Sequence, residues 1–95
     1  MFAVIFKAEI KQLDHTYFES STRMRELAIS DYGCKEFSIV TEGNREIAIS
    51  YWDNEEQIIL WKQDPEHLVV QELARTRWYR SYKVEIVEIR REYSS

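Results

Sequence analysis

Only two glycines and one proline punctuate the 95 residues, and their positions restrict where the chain can turn or break. A backbone with so few breakers fills most of its length with regular secondary structure. Gly33 offers a left-handed exit to a helix opened by Asp14, in which Tyr17, Met24, Leu27 and Ala28 recur at helical spacing with Ser20 and Ser21 on the inward side. Gly43-Asn44 turns a hairpin between two β-rich runs, Cys34 to Thr41 and Glu46 to Trp52. Asp64-Pro65 restarts a helix, because aspartate caps well and proline is tolerated at the first helical position.

The remaining segments fit between these points. Phe2 to Ile10 alternates, with Phe2, Val4, Phe6, Ala8 and Ile10 on one side, and reads as a first strand. Asp53 and Glu56 make a capping-box-like pair for a helix carrying Ile58, Ile59 and Trp61, which bends at Asp64-Pro65 and continues to about Arg77. Ser81 to Tyr93 forms a long last strand whose apolar side switches phase at Ile86-Val87, as a bulge or a change of packing partner requires. Strand, helix, strand, strand, broken helix, strand is the ferredoxin-like βαββαβ plan: an α+β fold with one antiparallel sheet, in a single domain spanning residues 1–95. Its helices cover one sheet face, yet the strands carry apolar residues on both. A second copy packing sheet on sheet about a two-fold axis would cover the other, so a homodimeric α+β barrel is expected.

Charge narrows the partners. The net charge is -4, and 13 Lys and Arg residues are interspersed among 17 acids without a polybasic block, which disfavours nucleic acid and anionic membranes. The third strand, REIAISYWD, also lacks the Gly-aromatic pattern of RNA-recognition domains of this plan. The apolar start is too short for a signal h-region and no run approaches a membrane span, so a cytoplasmic location is expected. Cys34 is the only cysteine, which excludes an internal disulfide and a CxxC metal or redox pair. Dinucleotide, P-loop, zincin and hydrolase-elbow motifs are missing.

What stands out is WKQDPEHLVVQELARTRWY, residues 61–79. His67 is the third residue of the helix opened by Asp64-Pro65, where the positive end of the helix dipole disfavours imidazolium. A neutral imidazole there can accept a substrate proton, and proton abstraction from a phenol produces an anion rich enough to give an electron to oxygen directly. Gln71, Ala74 and Trp78 share the helical face of His67. Gln71 can orient His67 or bind a carbonyl, while Trp61, Trp78, Tyr79 and Tyr51 can wall a flat apolar pocket suited to planar polycyclic molecules. Each also has a plain structural role: His67 in a helix-start hydrogen bond, the aromatics in the core, Gln71 in solvent. His15, Cys34 and the charged set Glu72, Arg75, Arg77, Arg80 and Glu85 carry no assigned chemistry.

The arrangement resembles the antibiotic biosynthesis monooxygenase family of small dimeric α+β barrel proteins. The residues that carry the resemblance are Tyr51-Trp52, Asp53, Trp61-Lys62, Asp64 to His67, Gln71 and Trp78-Tyr79. The element order matches over the whole chain, and the residue-level weight falls on residues 49–93. The resemblance implies oxygenation of phenolic, polyketide-like compounds by molecular oxygen without metal, flavin or other cofactor in some members, and haem degradation in others. In the quinone-forming branch an Asn, a Trp four residues on and a Tyr six further line the pocket. Matching on Trp61 places Gln57 and His67 at the other two positions, so only the tryptophan is retained. The haem-degrading branch uses a first-strand Asn and a His eleven residues after the Trp, where this chain has Lys7 and Glu72. The expected function is therefore a cofactor-independent monooxygenase acting on a small aromatic ligand. His67 and Trp61 are the catalytic pair, and Tyr51, Gln71, Trp78 and Tyr79 the substrate contacts. The alternatives are a non-catalytic dimeric ligand-binding or stress-associated module and, as the poorer match, a haem degrader.

Overall fold

The computed structural model describes all residues from Met1 to Ser95. β1 (Phe2–Ile10) leads to α1 (His15–Tyr32), the hairpin β2 (Glu36–Glu42) and β3 (Arg45–Trp52), α2 (Glu55–Lys62), α3 (Pro65–Leu73), a π-helical turn (Ala74–Trp78) and β4 (Tyr79–Glu88). The four strands form one antiparallel sheet in the order β2-β3-β1-β4, the ferredoxin-like arrangement expected. No helix is long and apolar enough to cross a membrane.

The punctuating residues act where the sequence places them. Asp14 accepts the Tyr17 amide at 2.9 Å, capping α1, and Gly33 ends that helix at φ 80°. Gly33→Ala is expected to lower stability by about 1–2 kcal/mol, the cost of forcing an L-residue into left-handed backbone. An added Cβ would also stand 2.6 Å from Gln57 Nε2. A shifted urea-unfolding midpoint at unchanged slope would register that loss. The α2 cap lies one residue later than expected: Asn54, not Asp53, accepts the Gln57 amide at 2.9 Å, and the Gln57 side chain in turn accepts the Asp53 amide at 3.1 Å. Asp64 caps α3 through the amides of Glu66 (2.8 Å) and His67 (3.3 Å), and its second oxygen accepts the Tyr32 hydroxyl at 2.6 Å. An Arg23–Glu66 fork, with bonds of 2.8 and 2.9 Å, ties α3 to α1.

The second half departs from expectation in two places. The helix after Pro65 runs on past Arg77, but not as a regular α-helix: it widens at Ala74, and the Tyr79 amide bonds back to the Ala74 carbonyl five residues earlier. Such π turns are uncommon and cluster at functional sites. The last strand ends at Glu88, and no bulge lies at Ile86-Val87: pairing with Val4 and Ala3 is regular there, so the apolar residues pass from the inner face at Ile86 to the outer face at Val87. The irregularity lies at the other end: Ile10 pairs with Tyr79 and Glu9 with Ser81, leaving Arg80 as the bulged residue. A bulge flips the side-chain parity beyond it. Tyr79, which strict alternation would send to the outer face, is thereby turned inward and buried.

Both helix-facing and outer faces of the sheet are apolar, for different reasons. The inner face, with Val4, Ala8, Ser50 and Trp52, lies under the helices. The outer face, with Ile5, Ile47, Ile49, Tyr51 and Val87, has no helix over it.

Candidate functional site

The core is split. Val4, Ala28, Cys34, Trp52, Ile58 and Trp61 pack as one cluster, and Ala8, Tyr17, Trp78 and Tyr79 as another. Between them, under the bend joining α2 and α3, lies a mainly apolar cavity of about 230 Å³. Small side chains leave that space open: Ala48 and Ser50 on the inner face of β3, Ser21 on α1 and Ala74 at the π turn all line it.

Trp61 and His67 form one wall. The imidazole stacks on the indole with centroids 4.0 Å apart and planes at 25°, and His67 Nδ1 lies 3.1 Å from the Trp61 carbonyl oxygen. A carbonyl only accepts, so Nδ1 carries the proton and Nε2 presents a lone pair. Burial depresses the imidazole pKa below its ordinary value, more than the carbonyl contact and Asp64 raise it. The neutral form expected from the helix start is thus favoured by desolvation as well. Trp61 packs against Trp52 (5.3 Å) and Phe37 (5.9 Å), which fixes the ring beneath His67. Its indole N–H is the one buried side-chain polar atom without a partner, at a cost of about 1–3 kcal/mol.

The other wall is polar at one point. Glu46, only 3% exposed, accepts the Tyr17 hydroxyl on one carboxylate oxygen and the Tyr79 hydroxyl, at 2.6 Å, on the other. Burial, then the bond to Glu46, pushes the Tyr17 hydroxyl up to about 12 and raises Tyr79 in the same direction, so both stay protonated donors. Trp78 stands edge-on to Tyr17 at 5.4 Å, and its indole N–H donates to Asp14 at 3.0 Å.

Of the six residues expected at the site, five line the cavity: His67, Trp61, Gln71, Trp78 and Tyr79. Tyr51 does not. Its neighbour Trp52 faces the helices, so strand alternation puts Tyr51 on the outer face beside Ala3 and Ile49. Gln71 does not orient His67 either, since the Trp61 carbonyl does so. Glu46 and Tyr17 are the site residues that the sequence reading passed over. The available signal was parity: Glu46 shares the face of Trp52, where an acid requires partners. Gln57 caps α2 rather than lining the cavity, Lys7 lies on the outer face and Glu72 is exposed. No three His, Cys, Asp or Glu side chains converge. Cys34 is buried, its thiol pKa raised by desolvation, and His15 pairs in solvent with Glu19 at 2.8 Å.

The fold and the cavity define a class, an α+β domain of ferredoxin-like topology holding an aromatic-walled cavity between its sheet and a broken helix. Solved structures of the same fold include SnoaB, a cofactor-independent oxygenase from Streptomyces nogalater, with a TM-score of 0.83 at 11% identity over 99% of this chain and 97% of that one. A putative antibiotic biosynthesis monooxygenase from Nitrosomonas europaea gives 0.76 at 19% identity over 96% and 100%. A protein from Mycobacterium tuberculosis gives 0.81 at 14% identity over 98% of each. The expected resemblance to antibiotic biosynthesis monooxygenases therefore holds at the level of the fold. No family model and no curated protein sequence matches the chain.

Proposed function

We propose that the protein is a cofactor-independent monooxygenase that takes a small phenol into this cavity and oxidises it to a quinone with molecular oxygen, His67 acting as base. The observation that carries the reading is the Nδ1–H bond to the Trp61 carbonyl, which leaves a neutral Nε2 acceptor in an apolar, aromatic-walled space. A naphthol and O2 give a naphthoquinone and water. Nε2 takes the phenolic proton, and the electron-rich anion passes one electron to O2. Radical recombination then forms the C–O bond, and the imidazolium protonates the resulting peroxide. Loss of the ring C–H proton cleaves the O–O bond, and the departing hydroxide leaves as water. That SnoaB shares the fold supports this reaction class. A cavity of about 230 Å³ is below the ~300–1,000 Å³ of sites for drug-sized ligands. It favours one or two rings over the larger polycycles and is poorly suited to haem.

The test is oxygen uptake by the purified protein across a panel of one- and two-ring phenols. Consumption of one O2 per quinone formed supports the oxygenase. A second reading, a binding module without turnover, draws on Gln57, which the resemblance aligns with a pocket asparagine but which is spent here on a helix cap. Ligand-dependent thermal stabilisation with uptake at the buffer rate would establish that reading instead.

The same proposal includes a homodimer. The uncovered outer face, with Ile5, Ile47, Ile49 and Val87, supports sheet-on-sheet packing of two copies. Sedimentation equilibrium is expected to give twice the mass of one chain, and Ile49→Arg to return it to one. A monomeric wild type at high protein concentration would end this part of the proposal.

A further inference from the structure

The polar cluster at the Tyr17 end of the cavity has no part in the chemistry assigned to His67. Glu46 is held on β3 opposite Ala8, and β3 carries Ala48, Ser50 and Trp52 on the same face toward the Trp61 wall. From Glu46 to Ser50 is four strand residues, about 13 Å at a rise of ~3.3 Å each. The cavity therefore has two chemically distinct ends, with Trp61 and His67 at one and Glu46, Tyr17 and Tyr79 at the other.

The hydrogen-bond inventory of the second end is one-sided. A carboxylate offers about four lone-pair positions and has no proton to give. Two are taken by Tyr17 and Tyr79, whose only hydroxyl protons are spent in doing so. Ser21, on the same wall, spends its hydroxyl proton on the Tyr17 oxygen. What remains is acceptor capacity: the unused Glu46 lone pairs and the oxygens of Tyr79 and Ser21. Such a site stabilises a ligand donor and leaves a ligand carbonyl, ether or carboxylate without a partner in a desolvated place, where that omission is costly. His67 Nε2 is likewise an acceptor.

We infer that the Glu46–Tyr17–Tyr79 cluster is a specificity subsite for a second hydroxyl, so that the preferred ligand is an aromatic diol with its hydroxyls at opposite ends of the ring system. The inference rests on the reading of the cavity as a phenol site, one hydroxyl meeting His67 and the other the cluster. Glu46 and the tyrosines select the ligand and take no part in the oxidation.

The experiment is tryptophan-fluorescence titration of the full chain with 2,6-dihydroxynaphthalene, its monomethyl ether 6-methoxy-2-naphthol, and 2-naphthol. The diol is expected to bind about 10- to 100-fold more tightly than the ether, the range for a hydrogen bond to a charged group. In Glu46→Gln that ratio is expected to fall to near one, because the amide oxygen still accepts from one tyrosine while the NH2 group can donate both to the other tyrosine's oxygen and to the ether. Equal affinities for diol and ether in the wild type overturn the subsite without reference to any variant. A preference that survives Glu46→Gln in a folded protein overturns the assignment to Glu46. Binding of 2-naphthol together with no diol preference removes the subsite but leaves the phenol site standing, whereas no binding of any of the three removes both.

Discussion

Replacing His67 with alanine is expected to slow oxygen uptake by roughly 10²- to 10⁴-fold, the usual contribution of a positioned general base. The fold is expected to survive. His67 stands near the start of α3 and is only partly buried, and its loss removes the stack on Trp61 and one hydrogen bond, not a core side chain. Thermal melts of the variant close to wild type, beside collapsed turnover, would place the base at this residue; unchanged turnover would remove it.

The pH dependence follows from the same imidazole. Its pKa is lowered by burial, so the basic form persists below the ordinary histidine value near ~6.5. The acid limb of kcat/KM is expected to lie below pH ~6.5, with a flat rate above it. For stability, the unfolded chain binds this proton more readily than the folded one. Stability is therefore complete above the unfolded pKa and declines as pH falls from there through the lowered folded value. His67→Ala should lack that decline, which denaturant titrations at a series of pH values would reveal.

Trp52→Ala is the substitution expected to do most damage to the fold. Trp52 is 0% exposed, donates its indole N–H to Ser50 at 2.9 Å and supports the Trp61 ring from below. Truncating a buried aromatic to alanine costs about 3–5 kcal/mol, a large part of the ~5–15 kcal/mol that holds a domain together. The void would adjoin the existing cavity, so Trp61 and His67 lose their support along with the core. Urea unfolding should show a midpoint far below wild type, and near-UV circular dichroism should lose tryptophan signal. Trp52→Phe keeps most of the volume and should recover most of the stability; a mild effect from the alanine variant would mean that the two core clusters stand independently.

The local devices were legible because each is written in a few adjacent residues: the Asp14 and Asp64 caps, the Gly33 exit and the Gly43 turn. The π turn and the Arg80 bulge were not, since neither carries a residue signature and both come from docking Trp78 and Tyr79 against Asp14 and Glu46. Half of the site followed from helical spacing around His67. The other half required tertiary structure, because Tyr17 and Tyr79 lie 29 residues before and 33 residues after Glu46. Tyr51 was misplaced for the same reason that Glu46 was overlooked: in a strand apolar on both faces, alternation alone does not say which side the helices cover.

The place of β1 at the centre of the sheet, between β3 and β4, sets an order of assembly. β1 leaves the ribosome before the other three strands and has one flank that β4 fills. Until residues beyond Trp78 are made, β1 keeps an open edge, and the Tyr79 hydroxyl that Glu46 requires does not yet exist. Closure of the cavity thus depends on a long-range pairing whose last partner is synthesised after the helices and the β2–β3 hairpin.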